Sequence, residues 1–307
     1  MLNRTLVSFA LATLGLTATG AALAAPQAEP PSVVIVHGAF ADGSDWAKVI
    51  PILQAKGIIV GTGFAAIVQW TLWFGAACMV TAGLTSFALE WRVAIEAFRQ
   101  ASADGRVRRI LYTSGVWVHG PSVDAIDEHA PYQPLDIVGW RPVHETLAYE
   151  LSEHEVAVTI IRPGMVYGEH RGILGMWFAE AHDKKTLTYP GDGSQHWPLV
   201  HRDDLADLYV RALTGAKGGD AYLAGDGSWF TVKAMAEAVA AATGVTATSW
   251  PAEELLKAFG PFGQALLQDQ RIQSTKAHTE LGWTPTHTSF VDEADALWRE
   301  IDGEAQA

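Results

Sequence analysis

The 307-residue chain has little positive charge and almost no cysteine. It carries 21 Lys and Arg against 34 Asp and Glu, for a formal net charge of −13. Nucleic acid and anionic membranes both bind basic surfaces, so this balance argues against them as partners. Cys78 is the only cysteine, so no disulfide can form within the chain and the redox compartment is not determined. We expect a small-molecule substrate rather than a nucleic-acid partner.

Charge is missing altogether from residues 57–89, "GIIVGTGFAAIVQWTLWFGAACMVTAGLTSFAL". About 20 apolar residues are enough to cross a bilayer, so membrane contact through residues 58–84 is one interpretation. The Gly, Thr, Ser and Gln content also fits strand-helix-strand material buried in a sheet. We favour the buried interpretation.

The first 25 residues predict export. "MLNR" is positively charged, an apolar run of small residues follows, and Ala22-Leu23-Ala24 offers the small-x-small pattern of a signal peptidase site. We expect a signal peptide over 1–25, and a periplasmic or secreted protein. An unused signal would leave the protein cytoplasmic or membrane-associated. The prolines of residues 26–32 predict an extended linker.

The remaining pattern predicts an α/β fold. "VRRILYTSGVWVHG" and "VAVTIIRPGMVYG" are typical of buried strands with polar or glycine-rich exits, and "HETLAYELSEH" is typical of a helix between them. Strands that alternate with helices favour a parallel sheet covered on both faces. Ligands of such sheets lie beyond the carboxyl ends of the strands. Residues 113–115 and 162–168 should therefore share one edge, which we call the rim.

Residues 33–57, "VVIVHGAFADGSDWAKVIPILQAKG", resemble the start of exported esterase-like α/β-hydrolases. In that family the "HGAF" loop lends a backbone N–H to the oxyanion hole. The family also needs a G-x-S-x-G elbow to present its serine, and this sequence contains none. We therefore expect His37, Gly38 and Phe40 to form only a strand-to-loop turn.

Residues 91–290 resemble the extended short-chain dehydrogenase/reductases, the NAD-dependent epimerase/dehydratases. Four motifs in the family's order carry the resemblance: "ILYTSGVWVHG", "IIRPGMVYG", "HRDDLADLYVRAL" and "ELGWTP". The resemblance implies a Rossmann-like parallel sheet flanked by helices, with a small C-terminal capping subdomain. The interval from Gly63 to Ser114 is short for this family. An incomplete front half of the sheet is therefore one interpretation. We expect a hydrolase-like unit plus the uncharged segment over 33–89, and the epimerase/dehydratase-like domain over 90–307.

The family's chemistry implies NAD or NADP as cofactor and a Tyr whose pKa is lowered by a Lys four residues on. That Y-x-x-x-K is missing here. Counting from "VHG" puts Trp140 and His144 in the Tyr and Lys positions, whereas alignment on Glu145 puts Ile137 and Arg141 there. Neither alignment supplies a phenol.

The nearest phenol is Tyr132. Asp136 lies four residues on, and its negative charge is expected to raise a phenol's pKa. We also expect Asp203 and Asp204 to cap the helix that follows them, because carboxylates stabilise a helix N-terminus.

The resemblance yields a set of candidate site residues. Ser114 is expected to orient a substrate oxygen, and Arg141 or His144 to supply a cation near the nicotinamide ribose. No metal site is expected, since the spacing of His196, His201 and Asp203 is weak evidence for one. The candidates for cofactor binding are Gly61, Gly63, Thr113, Ser114, Pro163, Gly164, Met165 and Val166, and those for substrate binding are Tyr167, His196 and Arg202.

The sequence thus predicts an NAD(P)-binding epimerase/dehydratase-like oxidoreductase whose atypical active site leaves its activity in question. Two alternatives stay open: an exported α/β-hydrolase-type esterase, and a non-enzymatic domain that is membrane-tethered or a relic. The substrate, the oligomeric state and the choice between NAD and NADP are not determined by the sequence.

Overall fold

The structure is a computed structural model that describes residues 32–35, 51, 54–55, 59–62, 109–154, 156–168 and 172–305. The chain divides into two compact units, Met1–Pro30 and Pro31–Ala307, and every described residue lies in the second. Among the described residues no helix is long and apolar enough to span a membrane. The predictions that fall outside the described residues concern the signal peptide over 1–25, the turn at 37–40, Gly63 and most of 57–89.

The described elements alternate along the chain as an α/β fold requires. The strands are β1 Ser32–Ile35, β2 Ile59–Thr62, β3 Arg109–Thr113, β4 Ser122–Ile126, β5 Ala157–Pro163, β6 Met165–Tyr167, β7 Leu187–Pro190, β8 Leu199–His201, β9 Ala221–Ala224, β10 Ala247–Trp250 and β11 Gln270–Ile272. The α-helices are α1 Arg141–Glu150, α2 Gly172–Lys184, α3 Arg202–Gly215, α4 Val232–Thr243, α5 Ala252–Phe259, α6 Pro261–Leu266, α7 Thr275–Leu281 and α8 Phe290–Ala305. Short 3-10 helices cover Val116–His119, Asp136–Val138 and Leu151–His154.

All the described strand pairs are parallel. The three-stranded sheet has the order β3-β5-β9, and the other pairs are β1 with β2, β6 with β8, β11 with β4, and β10 with β7. Parallel strands need crossover connections, which the helices between them provide. The predicted parallel α/β fold is therefore confirmed.

Side chains of the central sheet alternate between two apolar layers. Ile110 and Tyr112 of β3 pack on one face with Ile160 of β5, whereas Leu111 and Ile161 pack on the other face against α3. Successive residues of a strand point to opposite faces, so a sheet covered on both sides needs an unbroken apolar run. The run "ILY" meets this requirement. In "VTII" the one polar residue, Thr159, is buried and donates from Oγ1 to the carbonyl of Lys217 at 3.2 Å.

A second apolar core lies in the C-terminal half. Trp177 of α2 stacks on Trp197 with ring centroids 5.5 Å apart, and Phe178 packs with Phe290 of α8. Both tryptophans are buried, whereas the Trp229 side chain is 53% exposed. This core holds the helix α8, which follows the "LGWTP" motif.

Helix ends in this half follow their sequence signals. At the start of α4, Thr231 Oγ1 accepts a hydrogen bond from Ala234 N at 3.2 Å, and the helix ends at Gly244, which has φ 72°. A left-handed residue after a helix is usually Gly, because Gly has no Cβ to clash. Gly260, with φ 51°, separates α5 from α6. Both α4 and α5 thus end at a glycine with positive φ.

The start of α3 differs from the expectation that Asp203 and Asp204 cap it. The cap is His201, whose Nδ1 accepts a hydrogen bond from Asp203 N at 3.2 Å. Asp204 instead accepts three hydrogen bonds of 2.9 Å, from Thr286 N, Thr286 Oγ1 and His287 N. Both carboxylates still lie in the first turn, where the helix dipole favours them. Asp204 therefore ties α3 to a segment 82 residues further along the chain.

We predict that Asp204→Ala lowers the free energy of unfolding by about 2–4 kcal/mol, because three partly buried donors lose a charged acceptor. Asp207→Ala is the matched control on the same helix. Its carboxylate pairs with Arg211 at the surface, an i,i+4 contact worth about 0.3–0.5 kcal/mol. Urea unfolding measures both, and equal losses in the two variants would contradict the role of Asp204.

Candidate active site

The rim lies where the parallel strands β3 and β5 end. Ser114 follows β3, and its backbone N–H donates to the carbonyl of Ile161 in β5 at 2.8 Å. Residues 113–115 and 162–164 are therefore neighbours, as the prediction for parallel strands requires. Helix α1 packs beside these strand ends and supplies the charged groups.

A buried ion pair joins α1 to β5 behind the rim. Arg162 Nη2 lies 2.6 Å from Glu145 Oε2, and Arg162 Nε lies 3.1 Å from Oε1. The Glu145 side chain is 1% exposed and that of Arg162 is 4% exposed. Burial alone would raise the pKa of Glu145, but the hydrogen bonds and charge of Arg162 hold it below its ordinary value of 4.5. The carboxylate is thus ionised at neutral pH.

Two further side chains complete this network. Tyr132 Oη donates to Glu145 Oε2 at 2.5 Å and accepts from Arg162 Nη2 at 2.6 Å. His119 Nε2 lies 3.2 Å from Arg162 Nη1. Because a guanidinium can only donate, His119 Nε2 must accept, and its Nδ1 then donates to the carbonyl of Pro131 at 3.3 Å. His119 is therefore neutral, in keeping with a pKa lowered by burial and by Arg162.

Tyr132 is poorly suited to exchange a proton. Its burial and its hydrogen bond to Glu145 raise the pKa of its phenol to about 12. The sequence predicted a raised pKa from the charge of Asp136. The structure gives the same direction for a different reason, because the carboxylate in contact is Glu145.

Arg141 lies one helical turn before Glu145, and both side chains point to the strand ends. The Arg141 guanidinium fills the space that a Cβ on Gly115 would need. It also lies 5.4 Å from the centroid of the Trp140 ring. Its Nε is buried and has no hydrogen-bond partner among the described residues. Burial lowers the pKa of Arg141, but an arginine stays charged in proteins.

Ser114 sits beside this cation. The residue is 6% exposed, and its Oγ has no well-formed hydrogen bond among the described residues. The hydroxyl lies close enough to Glu145 to favour the ionised carboxylate. Buried polar atoms without partners are uncommon in proteins. Ser114 Oγ and Arg141 Nε together fit a ligand that offers hydroxyl or carbonyl oxygens, such as a nucleotide ribose or a substrate ketone.

His144 occupies a different environment from Arg141. Its ring packs on Trp140 with centroids 4.8 Å apart, and burial lowers its pKa to about 4. It is therefore neutral at pH 7. Of the two residues predicted to supply a cation, only Arg141 carries positive charge at the rim.

The other cofactor-binding candidates have different environments. Thr113 Oγ1 is 2.5 Å from Tyr209 Oη in the core. Gly164 packs so closely on the Pro198 carbonyl that a Cβ would clash. Met165 N donates to that carbonyl at 2.7 Å, and Val166 is 39% exposed. Of this set, Pro163 ends β5 and Gly61 lies in β2, opposite Val34 of β1, whereas Gly63 lies outside the described residues.

The three substrate candidates do not meet at one point. Tyr167 packs edge-on against His201 and Phe290, and its buried hydroxyl has no partner in the described part of the chain. His196 Nδ1 bonds Asp269 Oδ1 at 2.9 Å. Arg202 donates to the carbonyl of Gly168 and to Glu300 Oε1 of α8. Arg202 therefore holds the C-terminal helix in place.

The two histidines considered for metal binding, His196 and His201, have different neighbours. His196 lies with Asp269, whereas His201 lies with Asp204 and His287, whose ligand atoms fall within 4.8 Å of one another. The His201 and His287 rings stack at 3.7 Å and 22°. A metal lies in the plane of each imidazole it binds, so nearly parallel stacked rings cannot both point at one ion. His201 Nδ1 is also engaged in capping α3.

The side chains that support the rim were not predicted from the sequence. The sequence predicts only that Arg162 belongs to the rim segment 162–168, and Glu145 serves there only as a point of alignment. Gln270, 1% exposed, donates from Nε2 to the carbonyls of Val116 at 3.0 Å and Gly120 at 2.6 Å. The one signal for the ion pair was an Arg at the end of an apolar strand and a Glu on the inner face of the preceding helix.

The sequence model of the NAD dependent epimerase/dehydratase family matches residues 16–225. The chain belongs to this family. The match includes the hydrolase-like residues 33–57 and the end of the predicted signal peptide. The match supports the prediction of an epimerase/dehydratase-like protein. It gives no support to the two alternatives, an exported esterase and a non-enzymatic domain.

Two related proteins align with part of the chain. An uncharacterized protein of Schizosaccharomyces pombe is 29% identical over 153 residues, which are 49% of this chain and 52% of the relative. UDP-glucose 4-epimerase of Corynebacterium glutamicum is 26% identical over 220 residues, covering 62% of this chain and 63% of the enzyme. The chain thus spans between half and two thirds of these relatives.

The fold matches that of a solved enzyme over most of its length. dTDP-glucose 4,6-dehydratase from Bacillus anthracis, crystallised in complex with NAD, superposes with a TM-score of 0.65. The sequences are 13% identical, and the match covers 89% of this chain and 98% of that chain. This likeness confirms the Rossmann-like fold.

We predict that Glu145→Gln lowers the free energy of unfolding by about 3–5 kcal/mol, because it leaves the buried Arg162 charge unpaired. The pKa of Glu145 is lower in the folded protein, so its stabilisation is complete above about pH 4.5 and is lost as pH falls through the folded value. The stability difference between wild type and variant should therefore shrink below pH 4.5.

Denaturant unfolding at several pH values measures this dependence. Glu150→Gln, at an exposed position of the same helix, is the control and should change stability by no more than about 0.5 kcal/mol. A Glu145→Gln loss that is small, or that stays constant down to low pH, counts against the ion pair as a stabilising element.

Proposed function

We propose that the chain binds NAD or NADP at the rim and acts on a small-molecule substrate as an atypical oxidoreductase of the epimerase/dehydratase family. The observation that carries the proposal is the buried Arg141 Nε, which has no hydrogen-bond partner among the described residues and belongs to a guanidinium that lies against the strand end at Gly115. When bound, the cofactor would supply the acceptor or donor of a hydride. The solved dehydratase with the same fold contains NAD.

The ion pair supports one of the two alignments of the missing Y-x-x-x-K. Glu145 is tied to Arg162, so the helix face that it shares with Arg141 is the one turned to the strand ends. In that alignment Arg141 stands in the Lys position and Ile137 in the Tyr position. Arginine keeps the positive charge at any neutral pH. We propose that Arg141 binds the nicotinamide ribose and that Ser114 orients a substrate oxygen.

The proposed site lacks a suitable group for proton transfer. Ile137 has no ionisable group, and the phenols near Arg141 and Glu145 are unsuited to the task. Burial raises the pKa of Tyr112, and the pKa of Tyr132 is about 12. A general acid/base works best with a pKa near the working pH. We therefore propose that cofactor binding is retained while turnover is slow or lost.

Sugar nucleotides are the substrate class that we propose to test first. The relative from Corynebacterium glutamicum is named as a UDP-glucose 4-epimerase. Small carbonyl compounds are the second class, because Ser114 and Arg141 both donate hydrogen bonds and a ketone oxygen accepts them.

We predict saturable binding of NADH or NADPH by the full chain, followed by nicotinamide fluorescence, with circular dichroism as the check on folding. Arg141→Ala should weaken binding about tenfold, because a charge-assisted hydrogen bond is worth roughly 1.5–3 kcal/mol. Arg141→Lys should bind more tightly than Arg141→Ala. His144→Ala should bind like the wild type, since His144 is neutral and packs on Trp140.

Two results would reject parts of this proposal. A folded wild-type protein that binds neither nucleotide contradicts the cofactor site itself. Equal affinity of Arg141→Ala and the wild type removes Arg141 from that site while leaving the site in place.

The two alignments also make opposite predictions for restored chemistry. The double variant Ile137→Tyr, Arg141→Lys should gain 4-epimerase activity on UDP-glucose over the wild type. The matched double variant Trp140→Tyr, His144→Lys should gain none. Both recreate Y-x-x-x-K, but only the first directs the Lys to Gly115. Activity in the second variant alone would establish the other alignment.

A further inference from the structure

Gln270 connects the C-terminal half of the chain to the rim. It is the first residue of β11, and its Nε2 donates to the carbonyls of Val116 and Gly120, at 3.0 and 2.6 Å. These partners lie 154 and 150 residues earlier in the sequence. One amide group therefore bridges both ends of the 3-10 helix Val116–His119.

The chemistry of the partners fixes the orientation of this amide. Both are carbonyl oxygens, which only accept, so the NH₂ group must face them. The opposite orientation would bring three oxygens together and leave two buried acceptors without donors. The Gln270 Oε1 atom has no partner among the described residues. The side chain is thus used as a double donor.

An irregularity in the pairing of β11 with β4 lies beside Gln270. Gln270 pairs with Ser122, yet the next residue, Arg271, pairs with Ala125, so the register between β11 and β4 shifts at this point. Such bulges change the direction of a side chain and are common next to active sites. Here the extra residues lie in β4, and Gln270 stays with Ile272 on the buried face of β11.

The bridged helix needs outside support. Its own closing hydrogen bonds, Val118 N to Gly115 O and Gly120 N to Trp117 O, are both 3.3 Å long. Hydrogen bonds of a 3-10 helix have poorer geometry than those of an α-helix. The helix begins directly after Ser114-Gly115, and its last residue, His119, contacts Arg162. A shift of this helix would therefore move both Ser114 and a partner of the buried ion pair.

We propose that Gln270 is a positioning residue of the cofactor rim, which holds residues 116–120 so that Ser114 faces the ligand and His119 faces Arg162. The inference rests on the proposed function, because it assigns a cofactor to this rim. Gln270 touches no ligand itself; it acts through the turn. The C-terminal half thereby sets the geometry of a site formed by β3 and β5.

The test compares Gln270→Met with Gln268→Met in the full chain. Gln268 is also buried, at 6% exposed, and neither of its amide atoms has a partner among the described residues. Both variants remove an amide of the same size, but only the first removes donors from the turn. Two quantities are measured: hydrogen exchange of the Val118, Gly120 and Gln133 amides, and the affinity for NADH or NADPH. The Gln133 amide reports on the turn because it donates to the Val118 carbonyl at 2.9 Å.

In Gln270→Met we expect about tenfold faster exchange at these three amides and about tenfold weaker nucleotide binding, each close to 1.4 kcal/mol. Gln268→Met should match the wild type in both. Equal exchange in the two variants overturns the inference. Faster exchange with unchanged affinity also overturns it, because Gln270 would then be merely structural. A folded wild type that binds no nucleotide refutes the proposed function, and this is a separate result.

Gln270→Glu gives a second readout if the Met variant does not fold. An ionised carboxylate cannot donate to the turn, whereas a protonated carboxyl regains one donor. Nucleotide affinity of this variant, relative to the wild type at each pH, should therefore rise as pH falls. A flat ratio contradicts a donor role for Gln270. Gln268→Glu should show no such recovery.

Discussion

The buried pair of Glu145 and Arg162 is the interaction on which the rim depends. Each charge alone would be costly to bury, so α1 and β5 must keep one relative position to satisfy both. Tyr132 and His119 take up remaining hydrogen-bonding positions of the pair. With Glu145 fixed, the preceding turn of α1 brings Arg141 against Gly115. The position of the cation at the rim thus follows from an ion pair that itself faces away from solvent.

In this arrangement the groups suited to bind a cofactor differ from the group needed to transfer a proton. The strand ends, Ser114 and Arg141 keep the polar groups that a nucleotide can use, and the fold agrees with that of an enzyme that was solved with NAD. In the alignment that we propose, Ile137 stands in the Tyr position, and the phenols of Tyr112 and Tyr132 near the rim have raised pKa values. Binding depends on charge and shape, which Arg141 preserves. Acid/base catalysis depends on one ionisable group with a matched pKa, and a single apolar substitution removes it.

The sequence predicted the parts of the molecule that depend on local pattern. Apolar runs predicted the parallel strands β3 and β5, and the polar segment between them predicted helix α1. The placement of Ser114 beside Arg162 followed from a general rule for parallel sheets. Asp204, Gln270 and the choice between Arg141 and His144 were not predictable in this way. Asp204 was assigned to a helix cap because local rules place carboxylates there, yet its partners lie 82 and 83 residues away.

Long-range polar contacts join the C-terminal half to the rest of the described domain. Gln270 reaches residues 116 and 120, Asp204 holds residues 286–287, and Arg202 joins Gly168 to Glu300. Each of the three side chains forms a hydrogen bond with at least one backbone carbonyl or amide. Each therefore holds the backbone in position, whatever side chain the partner residue carries. The shape of the rim is therefore set in part by Gln270 and by the pair of Glu145 and Arg162, whichever residue occupies the Tyr position of the proposed site.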